Sequence, residues 1–267
     1  MNYHIGQGDK FDMDALIPIR KISFFQRLVL RVSSVFYLPR VLYTLLTIRQ
    51  DRNLLHDGVR KLSGRKLAAT SSDILFKDVK AAAKHKGVTI NDLVTACLAS
   101  GVKQYFELKG DKQTAEFNLT IPANIRFQHY GSWENVRFEN KFAPVPLRVP
   151  LKSDVNDSLR EVPKVTSQLR HRFIDIYATY MGTYYTCMFM PYVFLNYFLM
   201  QQTIPYTMAF SNTPGLLKPI WYEGKKSIKM QYYFIPTGYV GMGLSSLSYV
   251  DYFKITLTVD DAIMKDP

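Results

Sequence analysis

Between Ile176 and Leu217 lie 42 consecutive residues without an Asp, Glu, Lys, Arg or His, in a chain that is 21% charged. A run of this length must be shielded from water over most of its surface, by protein or by lipid. Its first part, Thr183 to Met200, is dense in Tyr, Phe, Met and Leu, and Met188 to Met200 could seed a bilayer-spanning helix. A span needs about 20 apolar residues. Pro191, Asn196, Gln201 and Gln202 interrupt this one, and the hydroxyls of Tyr180, Thr183, Tyr184, Tyr185 and Thr186 dilute it. The expectation is a buried or tunnel-lining helix, with a membrane span as the alternative. After Pro205, the run Tyr206 to Phe210 has the composition of a central strand and stops at Ser211-Asn212-Thr213-Pro214-Gly215.

Charge is distributed unevenly. The net charge is +12, and residues 1–70 hold twelve Lys and Arg against five Asp. From Arg20 to Arg49 six cationic residues occur with no acid. Phe25, Leu28, Val29, Val32, Val35 and Phe36 recur there at helical spacing, with Arg27, Arg31 and Ser34 mostly on the other side. Pro39 is expected to break the pattern, which Val41, Leu42, Leu45 and Leu46 resume. A basic helix with such a face can lie among lipid headgroups. The alternative is a helix docked on its own domain with its arginines in water. The charge fits an anionic partner, and nucleic acid is not expected, because no recognition module accompanies the basic segment. Cys97 and Cys187, in apolar surroundings, are expected as free buried thiols in a reducing compartment.

Two units are expected: a basic amphipathic linker or membrane-surface segment over 1–70, and a mixed α/β domain over 71–267. In the second, Leu75 to Lys86 reads as a helix ended by Gly87. Thr89-Ile90-Asn91-Asp92 has the form of a capping box opening a helix to about Leu108, with Val94, Cys97 or Leu98, Gly101, Val102 and Tyr105 on its packed face. Glu116 to Ile121 reads as a strand. The extended Asn140 to Leu151 carries prolines 144, 146 and 150, which suit a sheet edge. Asp154 opens a helix to about Phe173 that Pro163 bends or divides. Ile228 to Ile235 reads as a strand, and Gly243 to Tyr249 with Tyr252 to Thr258 as a hairpin.

The chain has no G-x-S-x-G, no phosphate-cradling glycine loop and no zinc spacing. Leu55-His56-Asp57-Gly58 reads as a surface turn, because neighbours in sequence do not present their side chains to each other. Four ordered segments do carry information. They are Gly87-Val88-Thr89-Ile90-Asn91-Asp92-Leu93-Val94, then Ile121-Pro122-Ala123-Asn124-Ile125-Arg126, then Glu139-Asn140 through Leu147, and Phe210-Ser211-Asn212-Thr213-Pro214-Gly215 followed by Gly241 to Tyr249. Together, over about 75–267, they resemble the C-terminal domain of the wax ester synthase/acyl-CoA:diacylglycerol acyltransferase family.

That resemblance implies the C-terminal half of a chloramphenicol acetyltransferase-like, CoA-dependent acyltransferase fold. The implied activity is acyl transfer from acyl-CoA to diacylglycerol or a fatty alcohol on the cytosolic face of a membrane (endoplasmic reticulum, plasma membrane or lipid droplet). Acyl-CoA would be a substrate, and no cofactor or metal is implied. In the family the base is the second histidine of HHxxxDG in the N-terminal half. No two histidines are adjacent here, so no catalytic base is assigned to this chain, which is expected to be inactive without that missing half. Residues 20–60 would correspond to the variable linker between halves. The motif positions expected to support a tunnel and site are Asn91, Asp92, Asn124, Arg126, Asn140, Ser211, Asn212, Pro214, Gly215, Ser248 and Tyr249. Two positions depart from the pattern: Glu139 where the family has Gly, and Val250-Asp251 where its hairpin has a glycine; Asp can tolerate the left-handed turn. A non-catalytic lipid-binding or scaffold remnant of the fold is the second reading.

Overall fold

The computed structural model describes residues 3–5, 22–127, 141–171 and 173–267. In chain order the elements are β1 (Tyr3–Ile5), α1 (Phe24–Thr47), β2 (Lys66–Thr70), β3 (Ile74–Leu75), α2 (Phe76–Lys86), α3 (Ile90–Leu108), β4 (Glu116–Asn124) and β5 (Phe142–Pro150). They continue with α4 (Val155–His171), α5 (Phe173–Phe189), α6 (Tyr192–Gln201), β6 (Met208–Thr213), β7 (Ile220–Tyr222), β8 (Lys225–Lys226), β9 (Met242–Tyr249) and β10 (Tyr252–Asp260).

The main sheet runs β2-β10-β9-β6-β4-β5, with β3 also on β10. It is mixed: β4, β6 and β9 are mutually parallel, and the flanking pairs are antiparallel. A small second sheet is ordered β1-β7-β8. Proline-rich β5 lies at the edge, where missing N–H donors cost no ladder bond. Residues 66–70, expected in the linker, form β2 and pair with β10.

Local chemistry accounts for the helix ends. Gly87, at φ +66°, closes α2 by donating its N–H to Ala83 and Lys84 carbonyls. Thr89 and Asp92 form the reciprocal cap of α3, at 3.1 and 3.0 Å. The Asp154 carboxylate accepts from Asn156 and Asp157 N–H at the start of α4. Pro163 and Pro39 lie inside α4 and α1, which continue through them. The inward face of α3 is Val94, Ala99, Val102 and Phe106; these pack with Leu159 and Val162 of α4 on Phe117, Leu119, Leu147 and Val149 of the sheet. Gly101 and Cys97 lie on its outer side, so the face predicted from sequence was turned too far. Both cysteines are unpaired and exposed, not buried.

Ile228 to Ile235 is not a strand. β9 and β10, against which it lies, are each already paired on both sides. The segment crosses the sheet face instead, its Tyr232 carbonyl accepting from Ser245 and Thr256 hydroxyls at 2.8 and 2.6 Å. The β9–β10 hairpin forms, with Tyr249 opposite Tyr252. The left-handed residue of its two-residue loop is Val250, at φ +51°, and not Asp251. A β-branched residue there costs about 1–2 kcal/mol. Val250→Gly should therefore raise stability by about 1 kcal/mol after the glycine's greater unfolded-state freedom is subtracted. Urea midpoints of the two proteins check this.

The charge-free segment departs furthest from expectation. It is two helices, α5 and α6, separated at Pro191, followed by β6. Only Tyr177 and Ala178 of α5 are buried, and α6 buries no residue. Phe189 is 74% exposed and Tyr192 79%. The segment is not a core helix, because α5 packs on α1, β5 and α4 through its first half and is exposed over most of Tyr184 to Phe189. The α1 seam against it runs through Leu30, Ser34, Leu38, Val41 and Leu45. A Cβ added to Gly182 would stand 2.9 Å from Leu38 Cδ1, and Arg40 Nε lies 3.8 Å from Asp175 Oδ2, so the pair is antiparallel.

Candidate functional site at the ends of the parallel strands

The C-terminal ends of β4, β6 and β9 all open on one edge of the sheet, where α/β folds place ligands. Two of the four motif segments end there: Asn124 on β4 from the second, and from the fourth Ser211 to Gly215 on and after β6 with Ser248-Tyr249 on β9. The capped start of α3 comes to the same edge, since Asn212 Nδ2 donates to Asn91 Oδ1. Asn212 Oδ1 in turn accepts from the Ser246 hydroxyl at 2.7 Å, across the register pair Asn212–Ser246. Ser246 is buried, Asn212 half-buried and Asn91 exposed. A line of hydrogen bonds thus runs from the sheet interior to an amide at the surface. It fixes the orientation of both asparagine side chains.

Asp92 plays a structural part. It is 2% exposed; one carboxylate oxygen closes the helix cap and the other accepts from Thr166 of α4 at 2.5 Å. Its charge at the third position of α3 also offsets the positive end of the helix dipole. That makes the site poorer for a phosphate and leaves it suited to neutral polar groups.

Ser211 is held by Tyr232, whose hydroxyl lies 2.8 Å from both its carbonyl and its Oγ and 2.9 Å from Thr213 Oγ1. After Pro214, Gly215 N donates to Ser248 Oγ at 3.1 Å. Tyr249, 1% exposed, accepts from Ile220 N at 2.8 Å and reaches Ser227 O at 3.2 Å, which ties the β7 region to the sheet. Asn124 Oδ1 accepts from Arg126 N at 3.0 Å and shapes the turn that ends β4. Asn140 lies outside the described residues. Sequence reasoning missed Ser246 and Tyr232; the first sits in a quoted motif segment, and the second stands in a stretch misread as a strand.

His56 is part of a turn, as expected, but a buried one. Its Nε2 lies 2.6 Å from Ile204 O, and Asp57 instead accepts from Val59 and Arg60 N–H. The ring's Nε2 is thus engaged in structure.

Comparison with known proteins bears on the fold. Residues 139–267 match the model of the WS/DGAT C-terminal domain. No curated protein matches the chain. Among solved structures, the wax ester synthase/diacylglycerol acyltransferase from Marinobacter aquaeolei VT8 is similar at TM-score 0.53 and 15% identity, over 88% of this chain and 52% of that one. The nonribosomal peptide synthetase FmoA3 is similar at TM-score 0.53 and 13% identity, over 94% of this chain and 27% of that one. The chain therefore spans about half the length of the wax ester synthase it matches. Its described residues form a mixed α/β fold of that kind, and residues 139–267 are similar to the WS/DGAT C-terminal domain.

Proposed function

We propose that this protein supplies the C-terminal half of an O-acyltransferase that moves a fatty acyl group from acyl-CoA to diacylglycerol or a long-chain alcohol. The observation that carries the reading is the meeting of Asn91, Asn212 and Ser246 at the ends of the parallel strands, in a chain whose residues 139–267 match the family domain. With Asn91 Oδ1 accepting from Asn212, the Asn91 Nδ2 protons are what this edge offers outward. An amide N–H is suited to the thioester carbonyl or to the amides of the pantetheine arm.

In the reaction the alcohol oxygen attacks the thioester carbon, its proton passes to a base, and CoA leaves as the thiol when the tetrahedral intermediate collapses. The base is assigned to a histidine of an HHxxxDG half supplied by another polypeptide segment. This chain orients the acyl donor. A non-catalytic lipid-binding role is the second reading, favoured by the lack of adjacent histidines in the sequence.

Radiolabelled acyl-CoA and diacylglycerol distinguish these readings. The chain alone should give no turnover, and turnover should appear when a polypeptide carrying the HHxxxDG half is added. In that reconstituted pair, Asn212→Ala should lower kcat/KM by about 10–100-fold, the worth of one or two oriented donors. Turnover by the chain alone would refute the assignment of the base. Failure of every complementing half would favour the non-catalytic reading.

A further inference from the structure

The aromatic rings of α5 form a ladder that leaves the core. It starts at Phe127, just beyond β4, and passes through Tyr177, Tyr180, Tyr184 and Tyr185 to Phe189, with successive centroids 5.6 to 6.2 Å apart. Tyr177 is buried, while Tyr184, Tyr185 and Phe189 are exposed. Beyond Pro191, α6 continues the exposed surface with Tyr192, Val193, Phe194 and Tyr197.

The antiparallel α1 contributes a second exposed face to the same helical layer. Residues facing away from its seam recur three and four apart: Phe25, Leu28, Val29, Val32 and Phe36, each exposed. The apolar face read from the sequence is thus turned to solvent, and the side bearing Arg27 and Ser34 is turned toward α5. Because the pair is antiparallel, the Phe24-Phe25 end of α1 lies toward the Phe189 end of α5. Apolar patches of this extent mark interaction surfaces.

We propose that this helical layer is an anchor seating the protein on an anionic lipid surface, with Phe24, Phe25, Phe189, Tyr192 and Phe194 inserted below the headgroups. Charge selects the occupant. No Asp or Glu occurs between Ile22 and Gln50 or in the charge-free segment. The one described acid of the three helices, Asp175, is paired with Arg40, and Arg31 stands exposed among the apolar residues of α1. Rings with hydroxyls, such as Tyr184, Tyr185, Tyr192 and Tyr197, suit the boundary where one end meets hydrocarbon and the other water.

Insertion stays shallow. α6, at 10 residues, is too short to cross a bilayer, and α5 carries Asp175 in its first turn. Among the described residues α1 is the one helix long and apolar enough to cross, but its seam and the Arg40–Asp175 pair hold it to α5. The proposal does not depend on acyl transfer, and its test reads binding alone.

The test is flotation of the full chain with unilamellar vesicles of phosphatidylcholine, with and without one quarter phosphatidylglycerol. Binding should be several-fold stronger to the anionic vesicles and should weaken between 50 and 500 mM salt, on the scale set by screening. The double substitution Val193→Glu with Phe194→Glu on α6 should lower vesicle affinity about tenfold or more. Both side chains are exposed, so its near-ultraviolet dichroism and urea midpoint should match those of the parent. Val59→Glu, a substitution at an exposed apolar residue outside this layer, should leave binding unchanged.

Equal binding by the α6 variant would overturn the proposal, as would indifference to phosphatidylglycerol. So would resistance of the bound protein to carbonate extraction, which means a span. A dimer that the α6 variant disrupts and anionic vesicles leave intact would assign the surface to a second copy of the chain and would equally overturn it.

Discussion

Replacement of Gly215 by alanine is expected to cost about 3 kcal/mol or more of stability and to disable the candidate site, because the added methyl has nowhere to go. A Cβ built on Gly215 overlaps the Ser248 carbonyl oxygen, and it stands 2.8 Å from the carbonyl carbon and 3.2 Å from Leu247 Cδ1. The obstacle is backbone, which cannot swing aside as a side-chain tip would. The obstacle is not conformational either, since Gly215 is not among the residues with positive φ. Two hydrogen bonds hold the chain here, Gly215 N to Ser248 Oγ at 3.1 Å and Val250 N to Leu216 O at 2.9 Å. Relief of the overlap must therefore lever the end of β6 away from β9, and that takes Asn212 from Ser246 and Asn91. Gly101→Ala is the matched control. That glycine is inside α3 with open space around it, and alanine there should stabilise by about 0.5–1 kcal/mol. Urea denaturation of both variants, with turnover of the reconstituted pair, separates a packing effect from a general intolerance of change. A Gly215→Ala protein as stable as its parent would mean that β6 and β9 are not closely apposed.

The contrast between these glycines marks what the sequence could reveal. Elements whose cause is local were legible: the Thr89–Asp92 cap, the Gly87 stop, the edge strand with its prolines and the β9–β10 hairpin each follow from a few adjacent residues. The motif order located Asn91 and Asn212, but only the β6–β9 register brings Ser246 beneath Asn212. Elements decided by competition for neighbours were not legible. Ile228 to Ile235 has strand composition, but the β9 and β10 it lies against are already paired on both sides. The Ile176–Leu217 segment, expected as a buried or tunnel-lining helix, instead leaves α6 exposed, because periodicity cannot say what a run without charge packs against. Tyr192 and Phe194 have the same composition buried or exposed. Residues 49–56, read as part of a linker, lie against β4 and the start of β6. Their polar side chains reveal nothing of the partners waiting on β4 and β6.

Asp51 shows how firmly that segment is built in, and its removal should cost about 3–4 kcal/mol. The side chain is 4% exposed, and a single carboxylate oxygen accepts both Asn118 N–H at 2.5 Å and Thr207 Oγ1 at 2.6 Å. Asn118 Nδ2 returns the connection by donating to Arg49 O and Pro205 O at 2.5 and 3.0 Å, and Arg148 donates to Asn118 Oδ1 at 3.2 Å. Asp51→Ala strands a buried N–H and a buried hydroxyl, whereas Asp51→Asn keeps an oxygen for both and should fall within about 1 kcal/mol of the parent at neutral pH. The two differ in charge as well. Burial pushes the Asp51 carboxyl above its ordinary 3.8, and the Thr207 and Asn118 bonds with the Arg148 and His56 charges only partly oppose it. The folded state then holds this proton more tightly than the unfolded chain does. The contribution of Asp51 is therefore greatest below pH 3.8 and is lost as pH rises through its folded value. The stability of the parent minus that of Asp51→Asn, followed by urea titration from pH 3 to 7, should accordingly fall with rising pH. A difference that grows over the same range would place the folded pKa below 3.8 and make the carboxylate, not the carboxylic acid, the form that the β4–β6 junction prefers.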